Sequence, residues 1–346
     1  MRILVVGDGH SAIHEVAVVR ALSQLGHEVQ AFYWHSYFGA NYVLARLWRR
    51  AQNRFLVGPA LSKLNDDLVS RAVLFQPALI FIYRGTHVYA RTLARLKRKL
   101  PDCQIFGYNN DDPFAKGHPP RLWQHFLRSI PFYDLVFAYR KHNLAEYTAV
   151  GAKRVLLLMP WFIPEKDTPL VADGVVVNRF DVVFVGHYEN DHRVEYLGRI
   201  AESAYSFGLF GPDWDRAPSV AWLNKYYPVR PLCSDLYRET LSAAKIALCF
   251  LSTLNRDTYT RRCFEIPAMG VFMLCEYSYD LSKLFEDGVD AVFFHNPQDM
   301  MRKIEYYLEH EAEREAIAKS GYVRVNRDRH DVISRMAYVC ACVEVQ

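Results

Sequence analysis

The 346-residue sequence predicts an α/β protein of two Rossmann-like domains, each a parallel sheet with helices on both faces. Two apolar runs ending in glycine, RILVVG at 2–7 and DVVFVG at 181–186, read as buried parallel strands that each feed a helix. The length exceeds one ordinary core and suits two. Between the runs, Pro160, Pro164 and a polar stretch to Asp173 form a linker. The expected divisions are 1–165, 166–330, and a terminal helix at 331–346 that packs back on the first domain.

In the first half, a helix from about Ser11 to Leu25 and a strand at His27 to Tyr33 complete one β-α-β unit. The turn Gly7-Asp8-Gly9-His10-Ser11-Ala12 resembles a dinucleotide fingerprint, but the second strand ends in FYWH with no acid for an adenosine ribose. A nicotinamide or flavin cofactor is therefore not expected. Residues 38–75 read as helical, and ARLWRRAQNRF within them carries Arg46, Arg49, Arg50 and Arg54 with Trp48 and Phe55. Such a segment suits either an anionic bilayer surface or a core helix with one wet side. Strands follow at Ala78 to Tyr83, Gln104 to Tyr108, Asp134 to Tyr139 and Val155 to Leu158, with helices at Thr92 to Leu100, Arg121 to Arg128 and up to Val150. The loop after the second of these strands, Asn109-Asn110-Asp111-Asp112-Pro113, lies at a strand's carboxyl end, where α/β sheets bind ligands or simply turn.

The second half repeats the alternation: helices near Arg193 to Ala204 and Leu236 to Ala244, and strands near Phe207, at Ile246 to Leu251 and at Ala291 to Phe294. Helices at Pro297 to Glu309, Glu311 to Ser320 and Asp331 to Val343 complete it.

Net charge is only +4, but residues 1–165 hold 21 Lys+Arg against 11 Asp+Glu, leaving the remainder acidic. A basic first half suits an anionic acceptor or membrane surface, or merely solvated helices. The seven cysteines are scattered in apolar runs without a C-x-x-C, which suits reduced thiols in a cytoplasmic protein and no zinc site. No apolar run approaches a membrane span, and no signal peptide is expected. Serine-hydrolase elbows and phosphate loops are absent, as is a D-x-D after a strand, so no metal is expected.

The densest candidate chemistry is NRDTYTRRCFEIPAMGVFML at 255–274. Asp257, Arg261, Arg262 and Glu265 surround the start of a helix, a layout able to hold sugar hydroxyls and neutralise a diphosphate. A solvated helix with an ordinary ion pair is the plain alternative. The run TRRCFEIPAMGVFML resembles the donor segment of glycosyltransferases with two nucleotide-binding-type domains facing across a cleft, the GT-B architecture. It is most similar to the CgeB-like branch (spore maturation protein-like, glycosyl transferases group 1), whose pattern reads R-x-F-E-I-x-A-x-G.

That resemblance implies a nucleotide-sugar donor, UDP-, GDP- or dTDP-linked, and no cofactor. It also implies a glycan or lipid-linked acceptor of the kind used in polysaccharide biosynthesis. Asp257 stands where the family has glutamate. The implied donor-binding set is Gly186, His187, Gly211, Asp257, Thr258, Tyr259, Thr260, Arg261, Arg262 and Glu265. His10 is the candidate base, with Asp111 or Asp112 to orient it. No nucleic acid is expected, and the expected location is cytoplasmic, peripheral at the inner face of the membrane. A sugar-nucleotide epimerase and a non-catalytic sugar-nucleotide-binding protein are the rival readings.

Overall fold

The computed structural model describes all residues except 10, 40–41, 171–178, 233–234 and 344–346. The chain divides into two units, Met1–Pro160 with Val332–Gln346, and Trp161–Asp331.

The first unit runs β1 (Arg2–Gly7), α1 (Glu15–Gln24), β2 (Glu28–Tyr33), α2 (Val43–Phe55), α3 (Pro59–Phe75), β3 (Leu79–Tyr83), α4 (Ala90–Lys99) and β4 (Gln104–Asn109). It continues through α5 (Gln124–Ser129), β5 (Leu135–Ala138), α6 (Lys141–Ala149) and β6 (Val155–Leu157). The strands pair in parallel in the order β2-β1-β3-β4-β5-β6. Every residue of β3 is buried, as a strand covered on both faces requires.

Two helices differ from expectation. The first starts at Glu15, not Ser11, because the Ser11 hydroxyl accepts from the Ile13 amide (3.4 Å) and holds a turn. The Glu15 carboxylate is buried and accepts from the Asp8 amide (3.0 Å), tying α1 to the loop after β1. The span read as one helix at 38–75 is two, α2 and α3. Leu56 (φ 54°) and Gly58 (φ 118°) take left-handed conformations, and Pro59 starts the next helix. The buried Gln52 then accepts from the Ala60 amide (2.7 Å) and caps α3. On α2 the apolar side chains face outward, with Leu44 82% and Trp48 61% exposed.

The second unit contains β7 (Phe180–Val185), α7 (Arg193–Ala201), β8 (Phe207–Phe210), α8 (Asp235–Ser242), β9 (Ala244–Cys249) and α9 (Arg262–Ala268). After these come β10 (Met273–Glu276), β11 (Val292–Phe294), α10 (Pro297–Glu309) and α11 (Glu311–Arg327). Its sheet is parallel in the order β11-β10-β9-β7-β8. Phe184, Ile246, Leu248, Leu274 and Val292 fill its core. The last helix, α12 (Val332–Ala341), lies in the first unit and packs on α1, with Tyr338 against the Phe137 ring at 6.1 Å.

In the second unit α9 packs on α11, and Gly321 sets their approach. A Cβ at Gly321 would come 2.5 Å from the Asp290 carbonyl oxygen and 3.4 Å from the Pro267 side chain. Gly→Ala in an ordinary helix interior stabilises by roughly 1 kcal/mol. Here the added methyl has no room, so Gly321→Ala should instead destabilise by about 1–3 kcal/mol, as measured by urea unfolding.

Candidate functional site

Ligands of open parallel sheets bind beyond the strands' carboxyl ends where the strand order reverses. In the second sheet that reversal is at β7, which has β8 on one side and β9 on the other. The loop after β7 and residues 250–261 after β9 meet there.

Gly186 and Gly211 form the turning point of that edge. The Gly186 amide donates to the Phe210 carbonyl (2.8 Å), and its own carbonyl accepts from Trp214 Nε1 (2.9 Å). Gly211 has φ 141°, and a Cβ there would sit 1.9 Å from the Gly186 oxygen, so the approach of the two chains requires glycine. His187 is 46% exposed, and its Nε2 lies 2.8 Å from Glu189 Oε1. Arg193 is buried and forks onto Asp191 (2.8 Å twice), donates to the His187 carbonyl (2.8 Å) and reaches Glu189 (3.3 Å). Ser252, from the β9 loop, donates to the other Glu189 oxygen (2.9 Å). Burial alone would raise the Glu189 carboxyl, but the His187 and Ser252 hydrogen bonds and the Arg193 charge outweigh it and hold it at about 2. Glu276, at the end of β10, pairs with His192 (3.0 Å) and accepts from the Leu251 amide (3.0 Å). The hydrogen bond to Glu276 raises the His192 pKa.

The two arginines that begin α9 behave differently. Arg261 is fully engaged: to Asp167 (2.7 Å), to Glu265 (2.9 Å) and to the Trp161 carbonyl (3.2 Å). Arg262 is half-buried beside Tyr237, Cys249, Glu265 and Cys263, and among the described residues its guanidinium has no hydrogen-bond partner. Glu265 is 4% exposed; Tyr237 donates to one of its oxygens (2.5 Å) and Arg261 faces the other. Burial first, and then the Glu265 charge, push the Tyr237 hydroxyl well up.

The remaining donor-loop residues are placed less openly than expected. The Asp257 amide donates to the Ser252 carbonyl (2.8 Å) and the Thr260 amide to Cys263 Sγ (3.5 Å), so neither amide is available to a phosphate. Tyr259 is fully buried, edge-on to Phe264 at 6.3 Å, and serves the core. The Thr258 hydroxyl is buried without a partner, while its carbonyl accepts from Ser278.

In the first unit, Asp111 pairs with Arg84 (2.7 Å). Asp112 is fully enclosed; it accepts from the Phe114 amide (3.0 Å) and Asn143 (3.0 Å), with His142 at 3.4 Å, and so anchors its loop to α6. His10, the candidate base, lies outside the described residues.

Asp167, Glu189, Arg193, Tyr237 and Glu276 were missed. Only the dense polar run HYENDHR directly after the strand glycine offered a signal, for Glu189 and Arg193. The cysteines are also less scattered than their spacing suggested. Cys249, Cys263 and Cys275, from β9, α9 and β10, meet with Sγ separations of 3.7 and 3.9 Å for the two pairs involving Cys263. These three thiols, and Asp112 with His142 and Glu146, are groups compact enough to hold a metal ion.

Because Glu189 ionises at about 2 in the fold against 4.5 for an ordinary glutamate, its stabilisation is present above 4.5 and is lost as pH falls from there towards 2. Glu189→Gln should therefore cost roughly 1–3 kcal/mol near neutrality. In urea unfolding across pH, the gap between variant and wild type should shrink over that acidic window.

Residues 190–341 match the family described as "Glycosyl transferase-like". No curated protein matches the sequence. Among solved structures, HepE of Anabaena in complex with UDP-glucose is similar over 99% of this chain and 98% of its own, at 14% identity and TM-score 0.66. Sucrose-phosphate synthase of Thermosynechococcus elongatus covers 99% of this chain and 98% of its own, at 12% identity and TM-score 0.69. An E. coli structure described as trehalose-6-phosphate bound with UDP-2-fluoro glucose covers 100% of both, at 10% identity and TM-score 0.64. The chain shares the GT-B fold of these glycosyltransferases, and its residues 190–341 resemble the glycosyl transferase-like family.

Proposed function

We propose that this protein transfers a sugar from a nucleotide-sugar donor to a hydroxyl of a glycan, a lipid-linked acceptor or a surface-polysaccharide precursor, without a metal. The observation that carries the reading is Arg262, a half-buried guanidinium without a hydrogen-bond partner among the described residues, beside Glu265 at the reversal edge of the second sheet. A desolvated cation in that position is suited to a diphosphate, whose charge grows as the glycosidic bond breaks. Glu265 is the ribose acceptor in this reading. A carboxylate has about four acceptor sites; here Tyr237 donates to one oxygen, and the other, ion-paired with Arg261, has no hydrogen-bond partner among the described residues. Arg261 positions Glu265 instead of meeting phosphate. The UDP-glucose held by HepE supports a uridine donor as the first to test. The run RCFEIPAMG supports a place in the CgeB-like branch. His10 is proposed to accept the proton of the attacking hydroxyl.

Calorimetry with UDP tests this. Arg262→Ala and Glu265→Ala should each weaken UDP about tenfold or more, the loss of a charged hydrogen bond. His10→Ala should keep UDP affinity while turnover falls by about 10² to 10⁴. UDP affinity unchanged in both donor variants would overturn the donor assignment.

The outward apolar face of α2, Leu44, Leu47 and Trp48, is interleaved with Arg46, Arg49 and Arg50, and no acidic residue lies in the helix. That chemistry supports peripheral binding to an anionic bilayer. Co-sedimentation with anionic vesicles should weaken as salt rises, and Arg46→Glu with Arg50→Glu should abolish it; binding indifferent to both would refute it.

A further inference from the structure

The first unit has its own strand-order reversal at β1, between β2 and β3, and a cavity of about 520 Å³ lies at that edge. One wall is aromatic: the buried Trp34 stacks on His87 with ring centres 5.0 Å apart. His87 is uncharged, since burial lowers its pKa to about 3; its nitrogens lie 2.8 Å from Thr86 Oγ1 and 2.7 Å from Asn53 Oδ1. Among the described residues lining the cavity, the charged ones are therefore Arg54, Arg84 and Arg121 against Asp8, an excess of positive charge.

The guanidinium groups are held by aromatic faces, Arg84 over Trp123 (5.5 Å) and Arg121 over Phe55 (5.1 Å). Arg84 gives one nitrogen to Asp111, and its Nε is buried without a partner. Arg121 makes no hydrogen bond or ion pair among the described residues. A neutral glycan would offer no charge to the unpartnered Arg84 Nε or to the Arg121 guanidinium, whereas a phosphate can accept from a guanidinium fork.

We infer that this cavity binds the phosphate of the acceptor, so that the substrate class is a phosphorylated sugar or a phospholipid headgroup, and not a neutral glycan. The inference rests on the transferase reading for the word acceptor, though not for the existence of the site. Phe55 and Arg54 end α2, whose outward face carries Leu44, Leu47 and Trp48, so a lipid-borne phosphate has apolar surface on the helix that forms the cavity wall.

The test uses the full chain saturated with UDP, and calorimetry with glucose 6-phosphate, with glucose, and with phosphatidylcholine vesicles with or without phosphatidic acid. Glucose 6-phosphate or the phosphatidic acid vesicles should bind, and glucose and plain vesicles should not. Arg121→Gln, at an exposed position, should weaken that binding about tenfold or more. Arg84→Lys, which keeps a cation for Asp111 but loses the fork, should also weaken it. Binding of both phosphate probes, each weakened by Arg121→Gln, assigns recognition to the phosphate itself, and vesicle binding alone that Arg121→Gln weakens assigns it to a lipid headgroup. Arg46→Gln with Arg50→Gln should leave glucose 6-phosphate binding intact. If neither phosphate probe binds, or Arg121→Gln changes neither affinity, the inference fails. UDP affinity is measured in the same proteins: if it is retained while the phosphate probes fail, only the cavity assignment falls, and the reverse result removes the donor reading alone.

Discussion

The second unit depends on one half-buried guanidinium. Arg261 joins Asp167 and Glu265, two carboxylates that would repel each other and resist burial without it. The helix it begins has seven residues and contains Pro267, too short to hold itself by backbone hydrogen bonds alone. Its position is set from outside, by Arg261 reaching the segment at 161–167 and by α11 packing against it through Gly321. Asp167 is fixed in turn, since its second contact is the Ile163 amide at 2.7 Å. Glu265 therefore presents its carboxylate in one orientation before any ligand arrives.

Adjacent residues on a helix point about 100° apart, and that separation divides the labour of Arg261 and Arg262. One faces the acids and becomes part of the frame. The other faces β9 and Tyr237, where no carboxylate hydrogen-bonds it among the described residues. A pair that looks redundant in the sequence is thus one structural cation and one available cation. The first sheet shows a similar division. Asp112 is enclosed and holds the loop to α6, while Arg84, paired with Asp111, reaches the cavity.

The fold class was legible because buried parallel strands leave apolar runs such as RILVVG and DVVFVG that end in glycine, and those runs became β1 and β7. The break between α2 and α3 was also written there, as Gly58-Pro59, but the helical periodicity on both sides concealed it. The candidate site was less legible. The partner of Arg261 lies 94 positions away, a separation at which nothing local marks Asp167 as the acid that will meet it. Tyr259 stands in the motif as a candidate ligand contact, and the fold buries its ring beside Phe264. The three thiols were hidden for the same reason: β9 and β10 place Cys249 opposite Cys275 by register, and α9 lays Cys263 across them.

That thiol cluster gives α9 a chemical clock. Cys249, Cys263 and Cys275 are fully buried, which shields their thiols from reagents in solution. Cys263 lies in the first turn of α9, so a lifting of that turn from the sheet would expose its sulfur to an alkylating reagent and move Arg262 and Glu265 with it. The rate of labelling at Cys263 therefore counts openings of this helix in the intact protein, and a ligand that closes over α9 would slow the count in proportion to its occupancy.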